Sequence, residues 1–222
     1  MTQSGNLTRT EWRSAVLGKI DPQHTALLVV DLQRDFCSED GALAALGSDV
    51  TPCRSVASRV DQFLTLVRQK VALVAFFQLV YDPRMMSESQ RERLIRNGKP
   101  VICDPETSGI ELFLEPSPND LVFTKHHYSA FSNEQFKRLL KERSITTVVV
   151  VGVDTHICVE GTVRDGYDLG YRVVVLSDLV ATRTSELNRH QNSLELLERY
   201  FAITLDSDKF LSLLTDRATA AG

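Results

Sequence analysis

Two hydrophobic patterns alternate along this chain. In short runs nearly every position is apolar; in longer stretches the apolar residues return every third or fourth place. Residues 25–30, 71–77, 121–124, 147–151, 172–176 and 201–204 are of the first kind. Runs without polar alternation predict strands buried on both faces. Residues 54–70, 133–142, 157–169, 185–200 and 207–214 are of the second kind and predict amphipathic helices, the third closed by Gly170. An amphipathic opening over 10–17, with Thr10 as its N-cap, stops before Asp21-Pro22, because proline drives its predecessor out of helical geometry.

Apolar strands separated by amphipathic helices predict an α/β fold, a three-layer α/β/α sandwich around a six-stranded, mostly parallel sheet. The reading is one domain over 1–222, with 1–23 as a helical arm and 217–222 as a frayed tail. One connection is unusually long. Residues 79–120 carry five prolines and a polar helix over 87–96, which Asn97-Gly98 would close. Loops of this length in a compact domain are usually lids or binding segments. Its bases, Arg84, Arg91, Arg93, Arg96 and Lys99, form either a solvated helix face or an attractor for an anionic substrate.

Composition narrows the setting. The 222 residues are 43% hydrophobic and 24% charged, enough for one sizeable core. The net charge of -4 and the scattered bases lack the stripe of a nucleic-acid binder, so no nucleic-acid partner is expected. No apolar run approaches a membrane span and none resembles a secretion signal, so a cytoplasmic protein with no membrane partner is expected. Cys37, Cys53, Cys103 and Cys158 form no paired motif and read as free thiols.

In open parallel sheets ligands bind beyond the carboxyl ends of the strands. Three reactive residues fall at such ends: Asp31 closes the first strand, Lys125 follows the third, and Cys158 opens the helix after the fourth. Alone, each has an ordinary reading as a turn aspartate, a solvated lysine and a buried small residue. Together they make a nucleophile with its support. A helix N-terminus and a nearby ammonium favour thiolate at Cys158, and Asp31 can take the thiol proton and return it to a departing amine.

The segments "LLVVDLQRDFC", "TKHHYSAFSN" and "VGVDTHICVEGTVRDGYDLGYRVVVLSDLVAT" resemble, in order and spacing, the Asp, Lys and Cys motifs of the isochorismatase-like cysteine hydrolases. The resemblance runs from about Thr25 to Ala181. It implies that Asp31, Lys125 and Cys158 are the catalytic triad, that the strand order is 3-2-1-4-5-6, that a thioester forms, and that the protein is a homo-oligomer, dimer or tetramer. It also implies a non-proline cis peptide joining Val153 to Asp154, with the Asp154 and Cys158 N–H groups as the oxyanion hole.

Departures within the family refine the expectation. Members that hydrolyse isochorismate carry glycine where Cys158 stands, so the thiol argues for cleavage of a C–N bond in a small carboxamide, ureido or carbamoyl compound. Members that hydrolyse nicotinamide have a histidine-rich metal cluster after the second strand. Here no histidine lies between His24 and His126, so neither metal nor cofactor is expected. Phe36, Gln78, Tyr128 and His156 are candidate substrate contacts. The glycine-rich turn of a dinucleotide domain is missing after the first strand. Vinyl ether hydrolysis, or a non-catalytic binding protein of the same fold, are the alternatives.

Overall fold

A computed structural model describes residues 8–97 and 102–220. Six parallel strands form one sheet in the order β3-β2-β1-β4-β5-β6: β1 (Thr25–Val30), β2 (Leu73–Leu79), β3 (Leu121–Lys125), β4 (Thr147–Gly152), β5 (Arg172–Val180) and β6 (Ile203–Leu205). Every residue of β1 and β4 is buried, which explains their unbroken apolar sequences. β3 alternates between half-buried and exposed positions until Lys125, as an edge strand does.

Helix α1 spans Arg9–Leu17 and is capped by Thr8 instead of Thr10. The reason is Glu11, three residues on: its carboxylate accepts from the Thr8 N–H at 2.8 Å while the Thr8 hydroxyl accepts from the Glu11 N–H at 3.3 Å. The short helices α2 (Arg34–Cys37) and α3 (Ala42–Ala45) precede α4 (Thr51–Val67), whose 3₁₀ continuation, Arg68–Lys70, delays β2 by two residues beyond the expected start. After β2 come α5 (Glu88–Asn97), α6 (Glu134–Glu142), α7 (Glu160–Asp168), α8 (Leu187–Tyr200) and α9 (Ser207–Ala220). The last is helical through Ala220, past the point where a frayed tail was expected. Gly98, the expected stop of α5, lies outside the described residues.

From β1 the chain moves one way across the sheet through α4, and from β4 it moves the other way through α7. With right-handed crossovers these helices cover opposite faces. The strand order therefore reverses between β1 and β4, where Val30 and Gly152 lie side by side in register. The close approach demands glycine at 152: its φ is +118°, and a Cβ there would sit 2.0 Å from the Val30 carbonyl oxygen. The chains leaving β1 and β4 thus start from adjacent points at one end of the sheet.

The long connection after β2 folds back on this same end. Gln33 and Leu112 form an isolated antiparallel bridge, and the Phe113 N–H donates to the Leu32 carbonyl at 2.7 Å. The buried Asp35 carboxylate accepts from the Ala42 N–H at 2.8 Å and the Cys103 N–H at 2.6 Å, tying the connection to the loop after β1. Among the described residues, no helix is long and apolar enough to cross a membrane.

Candidate active site

The site is built at the reversal point. Asp31, the first residue past β1, takes left-handed backbone geometry with φ of 53°, a conformation aspartate tolerates better than most residues. Its Oδ2 accepts from Lys125 Nζ at 2.8 Å, and Lys125 also donates to the His127 carbonyl at 3.1 Å. Lys125 ends β3, two strands from β1, so its long side chain must cross the end of β2 to reach the carboxylate. Both side chains are fully buried.

Cys158 completes the cluster. It does not open a regular helix as expected but lies within a π-helical turn, Thr155–Val159, that leads into α7. The Asp154 carbonyl accepts from the N–H groups of Ile157 at 3.1 Å and Val159 at 3.2 Å, while the Asp154 N–H has no acceptor among the described residues. The Val153–Asp154 peptide bond is cis. The thiol interacts with the Asp31 carboxylate and feels the Lys125 charge. Asp31 Oδ1 is buried with no hydrogen-bond partner among the described residues.

The electrostatics correct one expectation. Burial is the main influence on Cys158 and Asp31 the next; together they push the thiol well above its ordinary value of 9.0, and Lys125 only partly offsets them. These surroundings favour the protonated sulfur over a standing thiolate: taking two charged neighbours out of water leaves little stabilisation for a third charge. Burial likewise raises the Asp31 carboxyl against the pull of Lys125. For Lys125, burial opposes the charged form, but Asp31 and Cys158 outweigh it and the net direction is upward. All three groups hold their protons more tightly than free side chains do.

A cavity of about 400 Å³ opens above Cys158, within the size range of small-molecule sites. Cys158 is only 2% exposed, yet it lines this cavity; Cys37, Cys53 and Cys103 do not. Phe36, Tyr128 and His156 line it as well. Gln78 does not: its amide donates to the Ile110 carbonyl at 3.0 Å, anchoring the long connection, so it is a structural residue rather than a substrate contact. Beside it Gln33 makes a similar brace, pairing with both backbone groups of Leu79 at 2.7 and 2.9 Å.

Several cavity residues escaped the sequence reading. Tyr81 lies two residues past β2, and Arg183 three past β5. Both sit just beyond strand ends, the signal that located Asp31 and Lys125, but neither carries a distinctive motif. Arg183 faces the buried Asp154 carboxylate, Nε to Oδ2 at 3.9 Å, and Thr182 donates to the same carboxylate at 3.0 Å. Burial raises the Asp154 carboxyl despite these partners. His126 is bonded through Nδ1 to the Val80 carbonyl at 2.8 Å, away from the cavity. Among the described residues no group of three or more histidine, cysteine or acidic side chains is arranged to hold a metal ion.

Known proteins share this domain and this fold. A family model described as the isochorismatase domain matches residues 25–209. A cysteine hydrolase from Pseudomonas syringae pv. phaseolicola 1448A is similar in structure with a TM-score of 0.77 at 23% identity, over 89% of this chain and 95% of that one. The pyrazinamidase/nicotinamidase of Streptococcus mutans UA159 gives 0.68 at 28% identity, over 82% and 99%. The N-carbamoylsarcosine amidase of Thermoplasma acidophilum gives 0.66 at 26% identity, over 83% and 96%.

Proposed function

This chain belongs to the isochorismatase family of hydrolases, and from that premise we propose that it is a cysteine-dependent amidohydrolase cleaving the C–N bond of a small carboxamide or carbamoyl compound. The observation that carries this reading is a cavity-lining thiol set against a buried carboxylate–ammonium pair. A nucleophile is of use in acyl transfer and of none in vinyl ether hydrolysis.

In this reading the sulfur attacks the substrate's carbonyl carbon as its proton passes to Asp31. Because the thiol holds its proton tightly when at rest, transfer and attack proceed together, and the buried carboxylate, itself raised in proton affinity, is a competent base. The carbonyl oxygen gains negative charge facing the N–H groups of Asp154 and Cys158. The C–N bond then breaks, Asp31 gives its proton to the leaving nitrogen, and a thioester remains. Water attacks the thioester, yielding its proton to Asp31; the C–S bond breaks, the acid departs, and the proton returns to sulfur. Lys125 stays charged throughout and keeps Asp31 oriented.

Ammonia release over a panel of small amides, ureas and carbamoyl compounds tests the reading. At least one compound should turn over, with loss of about 10³-fold or more in the Cys158→Ala protein. Turnover that survives this substitution would defeat the proposal and favour vinyl ether or other thiol-independent chemistry.

A further inference from the structure

The charges around the cavity do not cancel. Glu186 pairs with Arg189 at 3.0 Å and stands 3.8 Å from His156, while Asp154 faces Arg183 at 3.9 Å. Arg93, carried by α5, has no carboxylate within ion-pair distance among the described residues; its guanidinium instead lies 5.7 Å from the centre of the Tyr128 ring. A cation over an aromatic face is held in position yet keeps its N–H donors for another acceptor.

Tyr81 links this charge to the nucleophile. It is buried to 4% exposure and lines the cavity together with Cys158, Tyr128 and Arg93, all three close enough to influence its hydroxyl electrostatically. Burial raises its proton affinity, so it remains a neutral donor. The wall of one cavity therefore holds the Cys158 sulfur, Tyr81, Tyr128 and, over the Tyr128 ring, a guanidinium with no carboxylate partner among the described residues.

We propose that Arg93, with the Tyr81 and Tyr128 hydroxyls, forms a subsite for the carboxylate of an anionic amide substrate, holding the far end of the molecule while its carbonyl faces Cys158. This rests on the amidohydrolase reading above. An Arg–carboxylate contact supplies charge-assisted donors in a fixed fork, whereas a neutral end group would leave the guanidinium unpaired in a part-buried wall. Because Arg93 belongs to the long connection after β2, that segment is assigned substrate selection.

The test is binding to the Cys158→Ala protein, so that it does not depend on turnover. Calorimetric titration with succinamate and N-carbamoylglycine, each against its methyl ester, should show at least one acid bound about tenfold or more tighter than its ester. Adding Arg93→Ala should abolish that preference, and Arg93→Lys should keep part of it. Arg93 is partly exposed on α5, outside the core, and far-ultraviolet circular dichroism of each variant is expected to match that of the parent protein. Equal binding of acids and esters, no acid binding at millimolar concentration, or a preference unchanged in Arg93→Ala would each overturn the proposal. Ammonia release that survives Cys158→Ala would instead sink the amidohydrolase reading and leave the binding result to stand by itself.

Discussion

Asp31 and Lys125, 94 residues apart in sequence, form a 2.8 Å ion pair with neither side chain exposed to solvent. Removing one partner leaves a charge in the interior without compensation. Lys125→Met should therefore destabilise the fold by about 3–5 kcal/mol in urea denaturation. Adding Asp31→Asn should recover part of that loss without restoring turnover. Strictly additive losses would mean that the pair is not coupled.

Cysteine accessibility gives a second expectation. Cys158 alone among the four thiols lines the cavity, so iodoacetamide should modify it first, as read by peptide mass mapping. Its raised proton affinity means that the rate should climb with pH, by about tenfold per unit through the neutral range. Preferential labelling of Cys37, Cys53 or Cys103, or a flat pH profile, would contradict this.

Stability should fall on the alkaline side. Burial raises all four thiols above 9.0, and the nearby carboxylates push the same way. A group whose folded value lies above its unfolded one contributes stability that is complete below the unfolded value and is lost as pH rises toward the folded one. Above pH 9 the unfolded chain ionises thiols that the folded chain keeps protonated, at about 1.4 kcal/mol per pH unit for each fully differing group. Urea midpoints measured from neutral pH to above 9 should drop, and less steeply in a Cys53→Ala protein. Constant midpoints would disprove the assignment.

Gly152→Ala tests the contact between β1 and β4. The new methyl would meet the Val30 carbonyl oxygen at 2.0 Å in a backbone conformation of φ +118°. Overpacking and backbone strain together should destabilise by about 3–5 kcal/mol. A urea-derived loss under about 1 kcal/mol would show that the strands can part without penalty.

Asp35 tests how the long connection is held. Its carboxylate accepts from two backbone N–H groups, on Ala42 and Cys103, and Asp35→Ala would strand both donors. A loss of about 2–4 kcal/mol is expected, together with faster proteolysis between residues 102 and 113. Unchanged proteolysis would indicate that the bridge between Gln33 and Leu112 holds the segment without it.

By itself the sequence determined the layered α/β architecture, because strands covered on both faces must be apolar throughout and helices covered on one must repeat every 3.6 residues. It also determined that Asp31, Lys125 and Cys158 stand at strand ends. Local chemistry was legible where it recurred in the pattern and obscure where two neighbours competed, as when Glu11 moved the α1 cap from Thr10 to Thr8. Only the tertiary structure decided the rest. Whether Lys125 reaches Asp31 across β2, whether Gln78 faces the cavity or the Ile110 carbonyl, and whether the Cys158 sulfur keeps its proton depend on what lies nearby in space and how much water is excluded. Charge stabilisation is a property of surroundings, and the two charged groups with the largest effect on Cys158, Lys125 and Asp31, come from chain segments more than thirty and more than a hundred residues away.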